Sequence, residues 1–260
     1  MTDRISPEKI SALLYDPEIK AKVFESIPST SSLLRELALK GAPEGTLIIS
    51  ESQTQGRGRK GKSFFSPGDT GVYFSLLLRP KTELSAGEVT TAAAVAAARA
   101  IEAICGKKAQ IKWVNDIYIG RKKVCGILTE ASLSPDSGSI QFIIVGIGIN
   151  LYEPEGGFPA EIRDRAGAVT ETITPGLKNR LIAETVNSFY KIYRENLFET
   201  VMKEYIKRSF IIGEKITVIA ENGEKEATAL SINQSGNLLV RFENGEEKLL
   251  SSGEISIKLN

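Results

Sequence analysis

The stretch QTQGRGRKGKSFFSP, residues 53–67, decides whether the sequence specifies a phosphate-binding-loop fold or a different fold. Residues 56–63 match the pattern G-x-x-x-x-G-K-[ST], in which a loop follows a strand and its final Lys-Ser begins a phosphate-binding helix. Here Pro67, Gly68 and Gly71 follow, and they are incompatible with a helix. No strand elsewhere ends in the aspartate that such a fold also needs. The sequence therefore predicts that another fold carries this loop.

The loop nevertheless combines positive charge with backbone freedom. Its members are four cations and three glycines: Arg57, Arg59, Lys60, Lys62, Gly56, Gly58 and Gly61. Glycines let a backbone approach an anion closely, and the cations neutralise phosphate or carboxylate charge. The stretch predicts an anion-binding loop, with a solvated basic turn as the alternative.

Composition limits the remaining possibilities. The 260 residues are 42% hydrophobic and can form one large domain with or without a small one. With 33 Lys+Arg and 32 Asp+Glu, the net charge of +1 indicates neither a nucleic-acid-binding nor a membrane-surface protein. The absence of histidine excludes Ser-His-Asp and Cys-His catalysis and His-ligated metal sites.

The sequence predicts a cytoplasmic location. Its two cysteines have no C-x-x-C spacing, and MTDRISPEKI at the N-terminus lacks the apolar segment of a signal peptide. The most apolar run, TAAAVAAARAIEAI, is interrupted by Arg99 and Glu102 before the roughly 20 residues of a membrane span. We expect this run to form a buried helix.

The order of periodic segments predicts an α+β fold. After a weakly helical N-terminal segment, Ser29, Thr30 or Ser31 can cap a helix that ends at Gly41. Strands are expected at 46–50 and 72–79, a helix at 87–105, strands turning near Gly120 within 111–131, and a strand at 139–152.

The last third of the chain changes character. Apolar residues at helical spacing predict one or two helices over 178–210. Short alternating runs follow, separated by the turn pairs Asn222-Gly223, Ser235-Gly236 and Asn244-Gly245. These runs predict a small C-terminal β domain.

Four motifs in this order resemble the biotin protein ligases. They are STSS at 29–32, GRGRKG at 56–61, KWVNDIYIGRKKVCGIL at 112–128 and VGIGIN at 145–150. The resemblance extends from about residue 23 to the C-terminus. It implies a mixed-sheet ligase core like that of class II aminoacyl-tRNA synthetases and a C-terminal SH3-like β-barrel. It also implies an N-terminal helical segment at 1–22, a catalytic domain at 23–210 and a β domain at 211–260.

The resemblance implies a two-step reaction. ATP and Mg²⁺ activate biotin to biotinyl-5′-AMP, and the biotinyl group passes to a lysine of a biotin carboxyl carrier protein, of acetyl-CoA carboxylase or a related carboxylase. The chemistry agrees, because an acyl adenylate needs no enzyme nucleophile and no histidine. The resemblance leaves a homodimer open.

Site residues are carried over position by position. Those implied to bind biotin are Ser29, Thr30, Gln53, Gly56, Arg57, Lys123, Gly126, Gly146 and Gly148. Those implied to bind ATP or the adenylate are Lys112, Arg59, Asn115 and Asn150, with Asn115, Asp116 and Asn150 near Mg²⁺. The catalytic set is Arg57, Arg59, Lys123 and Asp116, the last as the group that orients or deprotonates the incoming amine. Trp113 is expected to be a structural ring.

Four positions depart from the family pattern, where Asn, Trp, Pro and Ala usually occur: Ser31, Phe64, Val114 and Cys125. Ser31 could still cap the helix, and Cys125 would make the pocket wall slightly larger and softer. Neither change removes a charge.

Three other functions compete. A lipoate or octanoate ligase shares the fold, but the basic loop followed by KWVND favours biotin. A ligase that is also a DNA-binding repressor would need some sixty further residues before the VFESIPSTSS segment, where about twenty stand, so no DNA binding is expected. A non-catalytic binding module is disfavoured because every charged motif residue is retained.

Overall fold

The computed structural model describes residues 3–81, 84–136, 138–220, 223–251 and 254–257. The helices in these ranges are α1 Pro7–Leu13, α2 Thr30–Leu39, α3 Ala86–Cys105, α4 Leu177–Arg194 and α5 Phe198–Arg208. The strands are β1 Lys20–Ile27, β2 Thr46–Gln53, β3 Gly71–Leu78, β4 Gln110–Lys112, β5 Asp116–Ile119, β6 Lys122–Leu133, β7 Ile140–Asn150, β8 Lys215–Ala220, β9 Gly223–Ile232, β10 Leu238–Phe242, β11 Glu247–Leu250 and β12 Glu254–Ile257.

A seven-stranded mixed sheet forms the main body of the molecule. Its strand order is β1-β2-β3-β7-β6-β5-β4. The β1–β2 pair is parallel and the other pairs are antiparallel. The α+β class predicted from the sequence is therefore confirmed.

The Ala-rich helix α3 is the centre of the core. Ser85 and Glu88 form a capping box at its start, and Gly106, in the left-handed region, ends it. Its small side chains let α3 lie close to β6, α4 and α5, and most of its residues are buried. The helix α2 packs on the opposite face of the sheet through Leu34 and Ala38. The sheet is thus covered on both faces.

The N-terminal segment is bound to α4. Gly176 caps α4 without a side chain, and Asp3 supplies the missing acceptors for the amides of Gly176 and Lys178, at 2.7 and 2.9 Å. The fully buried Lys178 ammonium contacts Glu51 at 2.7 Å. The predicted boundary after residue 22 falls inside β1, a strand that the sequence pattern did not indicate.

The C-terminal strands form a second sheet in the order β11-β10-β9-β8-β12. Two of the predicted turns connect them: Ser235-Gly236 joins β9 to β10, and Asn244-Gly245 joins β10 to β11. In the third pair, Asn222 lies outside the described residues. The predicted helical region 178–210 forms two helices, separated at Asn196 with φ of 52°.

Among the described helices, none combines the length and the apolar character that crossing a bilayer requires.

Candidate active site

A cleft of about 270 Å³ opens between the loop 56–63, hereafter the basic loop, and the face of β6 and β7. Every predicted site residue except Gly56 lines it. Those residues are Ser29, Thr30, Gln53, Arg57, Arg59, Lys112, Asn115, Asp116, Lys123, Gly126, Gly146, Gly148 and Asn150. Residues that lie far apart in the sequence therefore meet in one concave site.

Glycines make the floor of the cleft. Gly126 of β6 pairs with Gly148 of β7, and the Phe64 ring lies over both. A Cβ atom at Gly148 would stand 2.6 Å from Phe64 Cε1, and one at Gly146 would stand 2.5 Å from Ser31 Oγ. The floor is flat because the side chains of Phe64, which follows the basic loop, and of Ser31 on α2 occupy the space that its own Cβ atoms would need.

Hydroxyl and amide groups line one end of the cleft. Gln53 Oε1 accepts hydrogen bonds from the amide of Thr30 at 2.8 Å and from its hydroxyl at 3.2 Å. The Thr30 and Ser31 hydroxyls both contact Ser75 Oγ, at 2.8 and 3.0 Å. Ser29 is the N-cap of α2, through the amide of Ser32. Ser31, considered above as a cap, instead points into this network.

The basic loop folds as a closed turn. The Gly58 amide donates to the Lys62 carbonyl at 2.7 Å, and the Phe64 amide donates to the Gly56 carbonyl at 2.8 Å. Gly61 needs its glycine for backbone conformation, with φ of 74°, whereas Gly56 needs its own because a Cβ would stand 2.3 Å from the Phe64 carbonyl oxygen. No helix follows the loop, as the sequence predicted.

Two arginines of the basic loop reach across the cleft. Arg57 makes a two-pronged ion pair with Glu130 of β6, at 2.9 and 2.7 Å. Glu130 lies four residues beyond Gly126, on the same side of the strand. Arg59 donates to Asn115 Oδ1 at 3.3 Å. The loop is therefore bonded to β6 through Glu130 and to the residue before β5 through Asn115.

Residues 112–116, hereafter the wall segment, form the opposite end of the cleft. Two hydrogen bonds to Ile127 fix Asn115. Its side-chain Nδ2 donates to the Ile127 backbone carbonyl at 2.8 Å, and its backbone carbonyl accepts from the Ile127 amide at 3.0 Å. Asp116 Oδ1 lies 2.7 Å from Lys123 Nζ. That contact is electrostatic, since this buried oxygen accepts no hydrogen bond of good geometry in the described part of the chain.

The cleft is strongly cationic. Among the described residues that line it, Asp116 is the only carboxylate, and seven carry positive charge: Arg57, Arg59, Lys60, Lys62, Lys112, Lys123 and Arg165. A narrow cleft lined by one sign of charge concentrates an anionic ligand. The arrangement suits a ligand with several phosphate or carboxylate groups.

One part of the site carries no sequence signal. Ile162, Arg165 and Ala166 come from the irregular stretch between β7 and α4. This stretch pairs with Lys123, whose amide donates to the Arg165 carbonyl at 2.7 Å and whose carbonyl accepts from the Gly167 amide at 2.9 Å. No helical or strand periodicity could reveal these residues. Lys60, Lys62, Ser63, Phe65, Ile127, Leu128 and Ile147 also line the cleft without having been assigned to it.

Two buried groups are kept neutral: Tyr118, which lines the cleft, and Cys125, which does not. Burial, with the Asp116 carboxylate nearby, raises the pKa of Tyr118 to about 12, so its hydroxyl stays protonated at neutral pH. Burial also raises the pKa of the Cys125 thiol. Cys125 is fully buried in the core and does not line the cleft, so the expected softening of the pocket wall is wrong.

Two family models match the chain. The biotin/lipoate A/B protein ligase family covers residues 23–150, and the biotin protein ligase C terminal domain covers residues 211–258. The bifunctional ligase/repressor BirA of Bacillus spizizenii is 35% identical over 231 residues, which are 87% of this chain and 70% of the relative. The biotin–[acetyl-CoA-carboxylase] ligase of Paracoccus denitrificans is 29% identical over 224 residues, with 81% and 91% covered.

Solved structures agree with these relatives. The biotin protein ligase from Aquifex aeolicus, in complex with biotin and ATP, superposes with a TM-score of 0.75 at 27% identity. The match covers 92% of this chain and 98% of that one. The likeness therefore includes both the large mixed sheet and the C-terminal strands.

Proposed function

Because the chain belongs to the biotin protein ligases of the biotin/lipoate A/B protein ligase family, we propose that the cationic cleft performs both steps of the ligase reaction. The enzyme activates biotin with ATP to biotinyl-5′-AMP and transfers the biotinyl group to a lysine of a biotin carboxyl carrier protein. Lipoate ligation is not favoured, since a C-terminal model specific to biotin ligases also matches.

One observation carries the assignment of the site: among the described residues, seven cations and a single carboxylate line a cleft with a glycine floor. In the first step, a carboxylate oxygen of biotin attacks the α-phosphorus of ATP. The bond from that phosphorus to the bridging oxygen breaks, and pyrophosphate leaves. The step brings an anion against a polyanion, so it requires concentrated positive charge.

We assign the two ends of the cleft to the two ligands, one end to biotin and the other to the nucleotide. The Thr30–Gln53–Ser75 network offers donors and acceptors that suit the ureido group of biotin. We assign Lys123, which lies against the floor at Gly126, to the biotin carboxylate and the α-phosphate. Arg57 and Arg59 cover the adenylate from the basic loop. Lys112, Asn115 and Asn150 serve the nucleotide end.

In the second step, the ε-amine of the carrier lysine attacks the acyl carbon, and AMP leaves with the bridging oxygen. The amine must lose a proton. Asp116 is the only carboxylate that the described residues bring to the cleft, and we assign it to orient the amine or accept that proton. Its Oδ1 lies 2.7 Å from Lys123 Nζ, which places the carboxylate beside the lysine that we assign to the α-phosphate.

Magnesium fits this site only as a partner of ATP. The described residues contain no group of three His, Cys, Asp or Glu side chains that could hold a metal ion. One buried carboxylate oxygen, Asp116 Oδ1, has no good hydrogen bond and could contact a hard cation, with Asn115 and Asn150 nearby. Mg²⁺ commonly binds through one carboxylate and substrate phosphates. When bound, it would neutralise phosphate charge.

The proposal also covers the type of fold of the two sheets and the cellular location. We propose that the large sheet is a class II synthetase-like core at residues 23–210 and that residues 211–260 form an SH3-like barrel. The two free thiols, Cys105 and Cys125, support a cytoplasmic location. The acceptor carboxylase, a homodimer and the absence of DNA binding remain predictions.

Mass spectrometry of the products tests the function. The protein is incubated with Mg-ATP and, in separate reactions, biotin, lipoate or octanoate. Biotinyl-5′-AMP is expected with biotin, and a carrier domain added afterwards should gain the mass of one biotinyl group. Turnover with lipoate or octanoate alone would overturn the assignment.

A further inference from the structure

The single tryptophan of the chain joins the wall segment to the C-terminal sheet. Trp113 is 4% exposed, and its Nε1 donates a hydrogen bond of 2.8 Å to the carbonyl of Gly236. The two residues are 123 positions apart, and the bond is buried. The side chain two residues before Asn115 is thus fixed by the turn between β9 and β10.

That turn is shaped to present its carbonyl. Asn233 Oδ1 accepts hydrogen bonds from the amides of Ser235 and Asn237, at 3.0 and 2.9 Å. Gly236 has φ of 77°, and a Cβ atom there would stand 3.3 Å from the Thr91 methyl on α3. Glycine is therefore required both by the backbone angle and by the close packing. Few other residues could deliver the carbonyl to the indole.

The wall segment has supports from two other directions. The hydroxyl of Tyr205 on α5, which is fully buried, donates to the Val114 carbonyl at 3.0 Å. Asn115 exchanges two hydrogen bonds with Ile127 of β6. Three consecutive residues are therefore held by the C-terminal sheet, by α5 and by the large sheet. The segment itself has little regular structure to hold it in place.

We propose that Trp113 is a positioning residue through which the C-terminal sheet fixes Asn115 and Asp116 at the nucleotide end of the cleft. The proposal rests on the proposed function in assigning that end to ATP. Its physical basis is that a buried hydrogen bond between distant segments restricts both, and catalysis is sensitive to displacements of about 1 Å in the groups that position a substrate. The biotin end depends on Gln53 and α2, which have no share in this bond.

The variant Trp113→Phe removes the donor and keeps an aromatic ring. Pyrophosphate exchange should show a KM for ATP raised about tenfold and a lower kcat. The Kd for biotin alone, measured by calorimetry without ATP, should stay within about twofold. Tyr193→Phe is the matched control, since it removes a hydroxyl donor to Glu44, neither residue lines the cleft, and both constants should stay unchanged.

Gly236→Ala tests the other partner of the bond and retains the indole. Because Trp113 is the only tryptophan, the fluorescence of the chain reports directly on this contact, and its emission maximum should shift to longer wavelength. The same selective rise in the KM for ATP is expected. This variant also decides the matter if Trp113→Phe fails to fold.

The inference is overturned if both variants keep the wild-type KM for ATP. It is also overturned if biotin and ATP binding weaken equally, since that would indicate a general loss of structure. A wild-type protein that makes no biotinyl-adenylate would instead refute the proposed function.

Discussion

The basic loop and the wall segment face each other across one cleft, and they are held in different ways. Within the basic loop, the turn is closed by bonds such as Gly58 to Lys62, and the Arg57 side chain is 41% exposed. The wall segment has Trp113 and Val114 buried, with partners on the C-terminal sheet and α5. One side of the site is a surface turn, and the other is an extension of the core.

The difference separates two tasks. Under the proposed function, groups on the fixed side would determine where ATP and biotin meet, because their positions are set before ligand arrives. In the same proposal, groups on the basic loop add positive charge and cover the bound ligand. The ion pairs of these groups lie near solvent. Substitutions on the fixed side should therefore cost more activity than those on the loop or its partners.

The largest effect is expected for Lys123→Ala, which removes the β6 lysine that contacts Asp116 of the wall segment. Loss of a charge-assisted contact to the transferring phosphate costs about 3–4 kcal/mol, so pyrophosphate exchange should fall roughly 100- to 1,000-fold. Circular dichroism should show an unchanged fold. The control is Lys191→Ala, an exposed lysine on α4. Normal exchange by the folded Lys123 variant would make this residue a surface cation without a role in the reaction.

A smaller effect is expected for Gly148→Ala, at the point where the glycine floor of the cleft contacts the Phe64 ring. The added Cβ would stand 2.6 Å from the Phe64 ring and must displace it. Overpacking of this kind costs about 1–3 kcal/mol, so biotin affinity measured by calorimetry should weaken about tenfold. Gly87→Ala is the matched control, because its Cβ would meet Ser85 Oγ at an ordinary 3.7 Å. Unchanged affinity would mean that Phe64 leaves the floor freely.

Glu130→Gln should change the kinetics in the opposite direction. Removing the carboxylate that holds Arg57 makes this guanidinium available to the anionic ligand. A pair this exposed contributes about 0.2–1 kcal/mol, so the KM for ATP should fall by no more than about fivefold. Glu247→Gln, which breaks the exposed Arg241 pair on the C-terminal sheet, is the control. A rise in the KM for ATP would show instead that Glu130 holds Arg57 in its working position.

The smallest effect concerns the support behind the wall segment. Hydrogen bonding to Arg208 lowers the pKa of Glu102 below 4.5. Burial opposes a similar lowering at Glu204, but Arg99 and Arg208 outweigh it. Folded pKa values below the unfolded ones stabilise the protein above about pH 4.5, and this contribution is lost as pH falls through the folded values.

Urea denaturation of the Glu102→Gln variant checks the direction of this pH dependence of stability. The variant should be less stable than the wild type at pH 7, by at most about 1 kcal/mol, and the difference should shrink as the pH falls below 4.5. The exposed Glu243→Gln variant should show no such trend. A difference that grows on acidification would contradict the assignment of the Glu102–Arg208 pair.

Much of the scaffold could be predicted because its signals are local. The periodicity of residues 87–105, the turn at Gly120 and the turn pairs Ser235-Gly236 and Asn244-Gly245 each depend on near neighbours, and the structure agrees with them. The edge strand β1 escaped prediction because its half-exposed residues do not alternate regularly. The family resemblance identified most of the residues that line the cleft. It did so by matching motifs, and it did not indicate which of these residues contact one another.

What could not be predicted depends on long-range contacts. Nothing in the sequence near Glu130 indicates that it pairs with Arg57, 73 residues away. Trp113 gives no sign of its bond to Gly236, and Arg165 belongs to a stretch without periodicity. Cys125 was placed in the pocket wall because it neighbours Gly126, yet alternation along the strand turns it into the core.

The cap that Asp3 provides for α4 has a consequence for biosynthesis. The acceptor and its amide donors at Gly176 and Lys178 are up to 175 residues apart, so the contact cannot form until most of the chain has been made. At about 5–20 residues per second, the N-terminal segment waits roughly 10–35 s on the ribosome without its partner. Closing such a long loop is slow relative to forming local helices. The segment around Asp3 is therefore made well before its partners and is among the last to reach its final place.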